Sequence, residues 1–335
     1  MGLWLKLSSE VAHELSHWAL PVYSRVFGVN EIPHHESFTW RGLTFPNRLG
    51  VAGGMDKNAE HISDWWRLGA GFVEIGTVTP RPQSPNPGRI MDRDSASMSL
   101  WNRMGFPSKG ANEVAANLKQ LQRHLSPVLV NIGKNRDTNN ARAFEDYLYL
   151  VKKFSNLADI FVVNISSPNT KDLRQLQSQE QLSNFLQPIL EESRKYKKPV
   201  LLKLSPDQHS DELSEAVRTA ANLGVDGFVL TNTTTSRLEN SPFPKEGGVS
   251  GAPLKKLSQN ALSVCVAALG GAESTLRKDK LIISVGGVLD AKEAEERIKL
   301  GADLVEFYSA LVFKGPHFFI DSLVETEKMK NKTNC

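Results

Sequence analysis

Short apolar runs alternate along the chain with longer segments of helical period. From residue 47 onward, eight runs have the length and composition of buried strands. They are NRLGVAGG (47–54), GFVEIGT (71–77), PVLVNIG (127–133), DIFVVNIS (159–166), PVLLKLS (199–205), DGFVLTN (226–232), LIISVGG (281–287) and DLVEFYS (303–309). Amphipathic segments such as AFEDYLYLVKKFSNL (143–157) separate many of them. Strands that alternate with helices predict a parallel sheet.

Eight such strands predict a closed (β/α)8 barrel, the TIM-barrel fold. An open doubly wound sheet is the alternative, but no G-x-G-x-x-G motif follows the first strand and the number of units fits closure. We expect the barrel domain to span residues 37–322, with a hairpin at FTWRGLTF (38–45) covering its N-terminal end. A polar C-terminal tail is expected over 323–335, and its final segment EKMKNKTNC (327–335) is expected to be frayed.

Residues 1–36 carry a separate amphipathic pattern. Apolar side chains recur at spacings of three and four at Leu7, Val11, Leu15, Trp18, Ala19, Val22 and Val26. Pro21 lies inside this pattern and predicts two short helices, the second opening at Pro21. The segment is rich in aromatic residues, which suit a water–lipid boundary. It is either a helix pair packed on the barrel or an interfacial pair that forms the mouth of an apolar channel.

Composition narrows the class of protein. The 335 residues are 40% hydrophobic and 23% charged, which is ordinary for a globular protein. The net charge of +3, without a dense Lys/Arg cluster, predicts no nucleic-acid partner. Cys265 and Cys335 allow neither a disulfide framework nor a cysteine-based zinc cluster, and they fit a reducing cytosol; no metal site is expected. Without a signal peptide or a ~20-residue apolar span, the bulk of the protein is expected to be soluble and intracellular.

Polar or glycine residues occupy the C-terminal end of every predicted strand. In chain order they are Gly53, Gly54, Asp56 and Lys57; Thr77; Asn131 and Lys134; Asn164; Lys203; Thr231, Asn232 and Thr233; Gly286 and Gly287; Tyr308 and Ser309. Active sites of barrel enzymes lie at this face, so we predict an active site here.

Two patterns at this face suggest ligands. Glycines at GGVSG (247–251) and GG (286–287), with Tyr308-Ser309, offer backbone N–H groups to a phosphate, although they also suit ordinary turns. The amides Asn102, Asn131, Asn164, Asn169 and Asn232 suit the N–H and C=O edges of a pyrimidine or flavin ring. Any one asparagine fits a turn or cap role, but the set predicts a ligand.

Nine motifs stand in order along the chain. They are GGMDKNAE (53–60), EIGTVTPRPQ (74–83), NRMGF (102–106), NIGKN (131–135), NISSPNT (164–170), LLKLSPD (201–207), TNTT (231–234), GGVSGAPL (247–254) and VGG (285–287). Together they resemble the dihydroorotate dehydrogenase family, in its membrane-associated, quinone-reducing class 2, over residues 7 to 316. The resemblance implies an FMN-containing barrel that oxidises (S)-dihydroorotate to orotate in pyrimidine (UMP) synthesis and passes electrons to a membrane quinone.

The resemblance also implies site residues at the matching positions. FMN would be held by Ala52, Gly53, Lys57, Thr77, Asn131, Asn164, Lys203, Thr231, Gly251, Gly287, Tyr308 and Ser309. Dihydroorotate would be held by Lys57, Asn102, Arg103, Met104, Gly105, Phe106, Asn164, Asn169, Asn232 and Thr233. Lys203 would stabilise negative charge at the flavin N1/O2 edge, and Lys57 would serve the orotate carboxylate and the flavin together.

Ser167 matches the catalytic base of the family. It would take the C5 proton of dihydroorotate while the C6 hydride goes to flavin N5. A serine hydroxyl is a poor base, so it needs a closed pocket and a proton relay, for which Thr170 is the candidate through an ordered water. The loop from Ser167 to about Gln177 would act as a lid. Class 1 enzymes carry a cysteine at this position, and neither cysteine of this chain lies near the fourth strand.

The N-terminal segment would serve the quinone. By the resemblance, His13 and Arg93 border a quinone tunnel, although either also fits a solvent-facing position. We expect peripheral attachment to the cytoplasmic side of the cell membrane through the N-terminal helices. Two residues depart from the family pattern: Gly53 replaces an alanine, and Ala310 replaces a glycine and adds a methyl group near the phosphate site.

Three other functions remain open from sequence. Another FMN barrel that reduces a pyrimidine or uridine is disfavoured by NISSPNT together with TNTT. A barrel aldolase or isomerase acting on a sugar phosphate would leave the asparagines unexplained. A non-catalytic membrane-surface protein would require every strand-end residue to be structural.

Overall fold

A computed structural model describes residues 3–32, 36–121, 126–170 and 172–333. The strands in these ranges are β1 (Phe38–Trp40), β2 (Leu43–Phe45), β3 (Leu49–Asp56), β4 (Phe72–Val78), β5 (Met91–Asp94), β6 (Ser99–Asn102), β7 (Val128–Ile132), β8 (Ile160–Asn164), β9 (Val200–Leu204), β10 (Gly227–Leu230), β11 (Gly248–Gly251), β12 (Leu281–Val285) and β13 (Leu304–Phe307).

The α-helices in the same ranges are α1 (Ser9–Phe27), α2 (Ile62–Arg67), α3 (Ala111–Gln120), α4 (Ala143–Phe154), α5 (Gln179–Lys195), α6 (Ser210–Leu223), α7 (Lys255–Ala268), α8 (Thr275–Asp279), α9 (Ala291–Lys299), α10 (Ser309–Lys314) and α11 (Phe318–Thr333). Short 3-10 helices span Leu3–Lys6, Asn140–Arg142, Leu173–Gln177 and Ala252–Leu254.

Eight parallel strands close into a barrel in the order β10-β12-β13-β3-β4-β7-β8-β9. The ring closes where β9 pairs with β10, with Leu201 opposite Gly227. Helices cover the outside of the strands and side chains fill the inside, so both faces are buried and the strands have continuous apolar sequences. The predicted (β/α)8 barrel is confirmed, and the open doubly wound sheet is excluded.

The N-terminal end of the barrel is closed by the predicted hairpin. Strands β1 and β2 pair antiparallel, with Phe38 opposite Phe45. Phe45 is fully buried and its ring meets that of Phe72 edge-on, with 5.6 Å between centroids. The Trp40 indole donates to the backbone oxygen of Asp279 at 3.3 Å. Apolar side chains therefore fill this end of the barrel.

The C-terminal end carries a small sheet that the sequence analysis did not predict. Strands β5, β6 and β11 form an antiparallel sheet in the order β11-β6-β5. Asn102 of β6 pairs with Gly248 of β11 and with Met91 of β5. Helix α1 packs against β5 and against α2. The sheet and α1 therefore lie over the mouth of the barrel.

The prediction of two helices broken at Pro21 is wrong. Helix α1 is continuous from Ser9 to Phe27 and contains Pro21. Leu20 and Ser24, on either side of the proline, are buried, and Ser24 Oγ donates to Asp64 Oδ1 of α2 at 2.5 Å. An internal proline costs about 3 kcal/mol through one lost backbone hydrogen bond and a steric clash. We infer that packing against α2 offsets this cost.

The predictions of a polar tail over 323–335 and of fraying over 327–335 are also wrong for the part that the structure describes. Helix α11 extends to Thr333, and Leu323 and Thr326 are buried. Phe318 and Phe319 at its start pack edge-on against Phe307, with 4.9 and 5.7 Å between ring centroids. This anchor on the barrel orders a helix whose composition alone looks like that of a tail.

Candidate active site

A cavity of about 670 Å³ opens at the C-terminal end of the barrel and extends beneath α1. The predicted site residues that line it are His13, Ala52, Gly53, Lys57, Thr77, Arg93, Asn102, Met104, Gly105, Phe106, Asn131, Asn164, Ser167, Asn169, Lys203, Thr231, Asn232, Thr233, Gly287, Tyr308 and Ser309. Arg103, Thr170 and Gly251 lie outside the lining. One cavity thus joins the strand ends to the N-terminal helix.

Four polar side chains at the strand ends form one hydrogen-bonded network. Thr77 Oγ1 donates to Asn131 Oδ1 at 2.6 Å, and Asn164 Nδ2 donates to both residues at 3.0 and 3.2 Å. Asn232 Nδ2 donates to Asn164 Oδ1 at 3.3 Å. Parallel strands bring these residues together because their C-terminal ends share one edge. The network fixes which amide edges face the cavity.

A separate pair of amide side chains joins the loop after β8 to the small sheet. Asn169 Nδ2 donates to Asn102 Oδ1 at 2.8 Å. Asn169 Oδ1 and Thr170 Oγ1 are buried and have no hydrogen-bond partner in the described part of the chain. Buried polar atoms rarely remain unpaired, so each of these two is available to a water or a ligand.

Ser166 and Ser167 have different surroundings. Ser166 Oγ donates to Asn164 Oδ1 and accepts from Asn232 Nδ2, both at 3.0 Å, so it belongs to the network. Ser167 is buried, lines the cavity, and accepts from the backbone N–H of Asn169 at 3.2 Å. This N–H helps to orient the Ser167 oxygen. Ser167 is therefore the serine of the pair that is exposed to a ligand.

The loop after β8 is anchored by a residue that the sequence analysis missed. The Arg174 guanidinium donates to the Ser166 carbonyl at 2.9 Å, to Asp207 Oδ2 at 2.7 Å and to the Thr233 carbonyl at 3.0 Å. These bonds tie the 3-10 helix Leu173–Gln177 to the ends of three strands. Arg174 follows the NISSPNT motif closely. Its position within the predicted lid was the sequence feature that could have identified it.

A buried charge cluster lies below the network. Lys203 Nζ is 2.6 Å from Glu74 Oε1, and Asn131 Nδ2 donates to the same oxygen at 2.7 Å. Burial opposes the charge on Lys203, but the charges of Glu74 and Glu306 outweigh it and raise the pKa of Lys203. Burial, and then the negative charge of Glu74, hold the pKa of Glu306 well above its usual range. Glu306 borders the cavity, and its raised pKa favours the protonated form.

The two glutamates were also missed by the sequence analysis. Both lie within strands that were otherwise identified by their apolar residues, Glu74 in β4 and Glu306 in β13. A charged residue inside a buried strand needs a partner of opposite charge or a proton. That requirement was the signal available in the sequence.

Lys57 follows β3 and lines the cavity. Its ammonium group donates to the Gly54 carbonyl at 2.8 Å. Burial lowers the pKa of Lys57 to about 8, against the opposing charge of Asp56. An anion bound beside Lys57 would restore the charged form, so the site favours anionic ligands.

The glycine-rich end of the cavity includes Gly287 and Ser309. Gly287 has φ +71°, and a Cβ there would collide with the backbone of Lys255. Ser309 Oγ is 3.3 Å from Ser250 Oγ. Gly251 is outside the cavity, and its φ of +84° with Met98 close by explains the glycine. Ala310 is fully buried and does not line the cavity, so its methyl group does not narrow it.

The opposite end of the cavity is formed by α1 and β5. Arg93 Nη2 donates to the carbonyl of Trp4 at 2.9 Å and also to that of Leu7. Burial, followed by the charges of Lys57 and His17, lowers the pKa of His13 to about 4. His13 is therefore neutral at physiological pH. Apolar side chains line much of this end: Leu15, Ala19, Leu20, Trp65, Leu311 and Val312.

Comparisons with known proteins agree with this architecture. Residues 37–328 match the family model described as dihydroorotate dehydrogenase. A Nitrosospira multiformis protein named dihydroorotate dehydrogenase (quinone) is 41% identical over 322 residues, covering 93% of this chain and 90% of that protein. A Thermus thermophilus protein of the same name is 42% identical over 328 residues, covering 93% and 90%.

A solved structure gives the same result. The crystal structure of DHODH from Eimeria tenella in complex with ferulenol matches with a TM-score of 0.86 at 32% identity. The match covers 97% of this chain and 92% of that one. Sequence, fold and cavity together show that the chain belongs to the dihydroorotate dehydrogenase family.

Proposed function

We propose that this protein is a quinone-dependent dihydroorotate dehydrogenase, which oxidises (S)-dihydroorotate to orotate in pyrimidine biosynthesis and passes two electrons to a membrane quinone. One observation carries the proposal. A single cavity joins a polar chamber at the strand ends, which contains Ser167, to an apolar mouth beneath α1. A polar pyrimidine substrate and an apolar quinone each have a chemically suitable end.

The family is flavin-dependent, and we propose FMN as the cofactor. The polar network of Thr77, Asn131 and Asn164 would present donors and acceptors to the ring edges. Lys203 and the glycine-rich end with Gly287 and Ser309 would hold the ring edge and the phosphate. The remaining proposed FMN contacts are those predicted from the sequence except Gly251, which lies outside the cavity. Bound FMN would supply a two-electron acceptor that can be reoxidised by quinone.

The chain's own residues would bind and activate dihydroorotate. Lys57 would pair with the carboxylate, since burial lowers the pKa of Lys57 and an anion reverses that effect. Asn102, Asn169 and Asn232 would bind the N–H and C=O edges of the ring. The backbone of Met104–Phe106 would complete the site. In contrast, the Arg103 guanidinium donates to the Pro87 carbonyl at 2.5 Å and lies outside the cavity.

Ser167 would remove the C5 proton of the substrate. Its burial excludes bulk water, and the Asn169 N–H holds its oxygen in place. Thr170 Oγ1, buried and without a partner among the described residues, is available for an ordered water that would carry the proton onward. The loop from Ser167 to about Gln177 would open for substrate exchange, with Arg174 as its anchor.

The apolar end would admit the quinone and contact the membrane. We propose that His13 and Arg93 border the quinone site. None of the helices in the described ranges is both long and apolar enough to span a bilayer. Helix α1 instead exposes apolar side chains, with 81% of Trp18, 61% of Val22 and 65% of Val26 accessible. Such a face suits peripheral attachment, which we propose is to the cytoplasmic side of the cell membrane.

The experiment that tests the proposal is a visible spectrum of the purified protein before and after anaerobic addition of dihydroorotate. A flavin band that bleaches, and recovers on addition of quinone, would support the assignment. A flavin band indifferent to dihydroorotate would favour another FMN barrel. A colourless protein that cannot be reconstituted with FMN would favour a phosphate-binding barrel without flavin.

A further inference from the structure

A row of ionisable side chains leads away from the apolar end of the cavity. His17 Nδ1 of α1 and His61 Nε2, at the start of α2, are 3.2 Å apart. His61 Nδ1 is 3.3 Å from Asp64 Oδ2. On the cavity side, the His13 and His17 rings meet edge-on with 5.2 Å between centroids. The row runs in the order His13, His17, His61, Asp64.

The two ends of the row lie in different environments. His13, His17 and His61 line the cavity, whereas Asp64 does not. The side chains of His61 and Asp64 keep 11% and 13% of their surface accessible. The row therefore connects the cavity to a partly solvated position between α1 and α2. Neither flavin binding nor dihydroorotate binding, as proposed above, uses His17, His61 or Asp64.

We propose that His17, His61 and Asp64 form a proton relay that supplies the quinone bound beside His13. This inference rests on the proposed function, since it assigns a task in the quinone half of that reaction. His17 and His61 would transfer protons, and Asp64 would be a positioning residue that fixes the orientation of the His61 ring.

The chemistry of quinone reduction creates the need for such a relay. A quinone becomes a quinol by taking up two electrons and two protons. The electrons come from the oxidation of dihydroorotate, but the apolar mouth beneath α1 limits access of water. A proton on His61 Nε2 can pass to His17 Nδ1 while His17 releases the proton on its other nitrogen towards His13 and the quinone oxygen. After this transfer both rings carry their proton on Nδ1. His61 must then take a new proton from solvent at Nε2, and the His17 ring must turn to return its proton to the cavity side, before the second proton can pass.

The electrostatic environment of the row determines where its proton rests before transfer. Burial alone would lower the pKa of His61, but the hydrogen bond to Asp64 and the charges of Asp56, Asp64 and Glu60 raise it. Burial, and then the charge of His61, lower the pKa of His17. The pKa order therefore favours a proton on His61 over one on His17. Transfer towards the cavity is uphill until the reduced quinone, a stronger base than His17, accepts the proton.

Other charged groups surround the row and contribute to the pH dependence of proton transfer along it. Those of the described residues that act on it are Asp56, Lys57 and Glu60 from the end of β3 and the following loop, Arg67 from α2, and Lys109, which pairs with Glu60 at 2.5 Å.

A purely structural role, in which the row only packs α1 on α2, is the alternative. The Ser24–Asp64 hydrogen bond already joins these helices, so substitution of His61 leaves one tie in place.

The test uses the full-length holoenzyme and two electron acceptors. Decylubiquinone needs protons on reduction, whereas ferricyanide takes up electrons alone. We expect His61→Gln and His17→Gln to lower the decylubiquinone rate by about tenfold or more, at the modest end of acid–base effects. The ferricyanide rate should stay within about twofold of the parent value, because substrate oxidation has its own base in Ser167. Glu14→Gln, on an exposed position of the same helix, is the matched control.

The pH profile distinguishes a relay from packing. The decylubiquinone rate should fall as pH rises through the pKa of His61, because the protonated form donates. Asp64→Asn should move that fall to lower pH, since it removes the negative charge of the Asp64 carboxylate, which raises the pKa of His61. NMR titration of the labelled imidazoles should show the same downward shift of the His61 pKa independently of turnover.

Two results would overturn the relay. One is an equal loss of the ferricyanide and decylubiquinone rates in His61→Gln and His17→Gln, or no loss of either. The other is a pH profile that Asp64→Asn leaves in place although the NMR titration of His61 has shifted. Failure of the parent enzyme to oxidise dihydroorotate with either acceptor would instead reject the proposed function, and the relay with it.

Discussion

Lys203 Nζ and Glu74 Oε1 lie 2.6 Å apart in the centre of the barrel, and their side chains are 6% and 0% accessible. The pair connects β9 to β4 across the barrel interior. Removing one member of such a pair leaves a buried charge, which costs about 3–5 kcal/mol, whereas removing both can be almost neutral. The pair thus holds a lysine at the proposed flavin site without an unbalanced charge.

A comparison of one single variant with the double variant tests this relationship. We expect Lys203→Met to lower the free energy of unfolding by about 3 kcal/mol or more, and the further change Glu74→Gln to recover most of that loss. Urea denaturation of the proteins measures both. The flavin content should stay low in both variants, because neither retains the lysine. If adding Glu74→Gln to Lys203→Met destabilises the protein further, the two charges do not depend on each other.

The neighbouring serines provide a matched pair for the proposed base. Ser167→Ala should fold, retain flavin and lose about 10²-fold or more of the rate of flavin bleaching by dihydroorotate, the effect of losing a positioned base. Ser166→Ala removes a hydroxyl from the amide network and should weaken substrate binding more than the bleaching rate at saturation. Stopped-flow absorbance measures these rates. Near-normal bleaching in Ser167→Ala would remove Ser167 from the base role.

The lowered pKa of Lys57 predicts how ligand binding depends on pH. Below about 8 the lysine is charged in the free protein, so the affinity for orotate should be constant. Above that value binding must first protonate Lys57, and the dissociation constant should rise by up to about tenfold per pH unit. Calorimetric titration with orotate between pH 6 and 9 tests this. Lys57→Gln should bind weakly at all pH values, and a slope that persists in it would assign the titration elsewhere.

The same lysine affects stability with the opposite sign. Its pKa in the folded state, about 8, lies below 10.5, the ordinary value for a lysine. Between these values the unfolded chain binds more protons than the folded one, so the contribution of Lys57 to stability increases with pH. Compared with Lys57→Gln, the parent protein without orotate should therefore gain stability from pH 8 to 10, as measured by urea denaturation. A flat difference would mean that Lys57 is not buried in solution.

The barrel could be predicted from the sequence because each strand is both apolar and bounded by a polar end. The same criterion identified Asn131, Asn164 and Lys203 in the cavity. This criterion missed Glu74, because Glu74 lies within its strand and not at the C-terminal end. Only the closed barrel shows that Glu74 faces Lys203, which is 129 residues away.

The remaining differences between the sequence prediction and the structure arise from tertiary packing. Pro21 is a local signal for a break, but the contact between Ser24 and Asp64 keeps α1 continuous. In the small sheet, β6 pairs with β11, which lies about 150 residues further along the chain, and this pairing has no local pattern. His17 and His61 likewise become neighbours only when α1 packs on α2. Long-range contacts of this kind need the structure.

Deletion of residues 1–36 tests the channel beneath α1. The strand-end network does not involve these residues, so bleaching of the flavin by dihydroorotate should stay within about threefold of the full-length rate, an effect smaller than 1 kcal/mol. Turnover with decylubiquinone should fall much further, because His13 and the apolar wall of the mouth are lost. Equal loss of both activities would indicate that α1 supports the fold as a whole.

The exposed apolar face of α1 predicts where the protein contacts the membrane. Trp18 is 81% and Val22 61% accessible, and neither lines the cavity. Burial of one large apolar side chain in the lipid interface contributes about 1.5–3 kcal/mol, so Trp18→Glu should weaken binding to phosphatidylcholine–phosphatidylglycerol vesicles by about tenfold or more. Flavin bleaching by dihydroorotate should be unchanged. Leu300→Glu, at an exposed apolar position after α9, is the control and should bind vesicles like the parent protein. Equal cosedimentation of Trp18→Glu and the control would reject this face as the membrane contact.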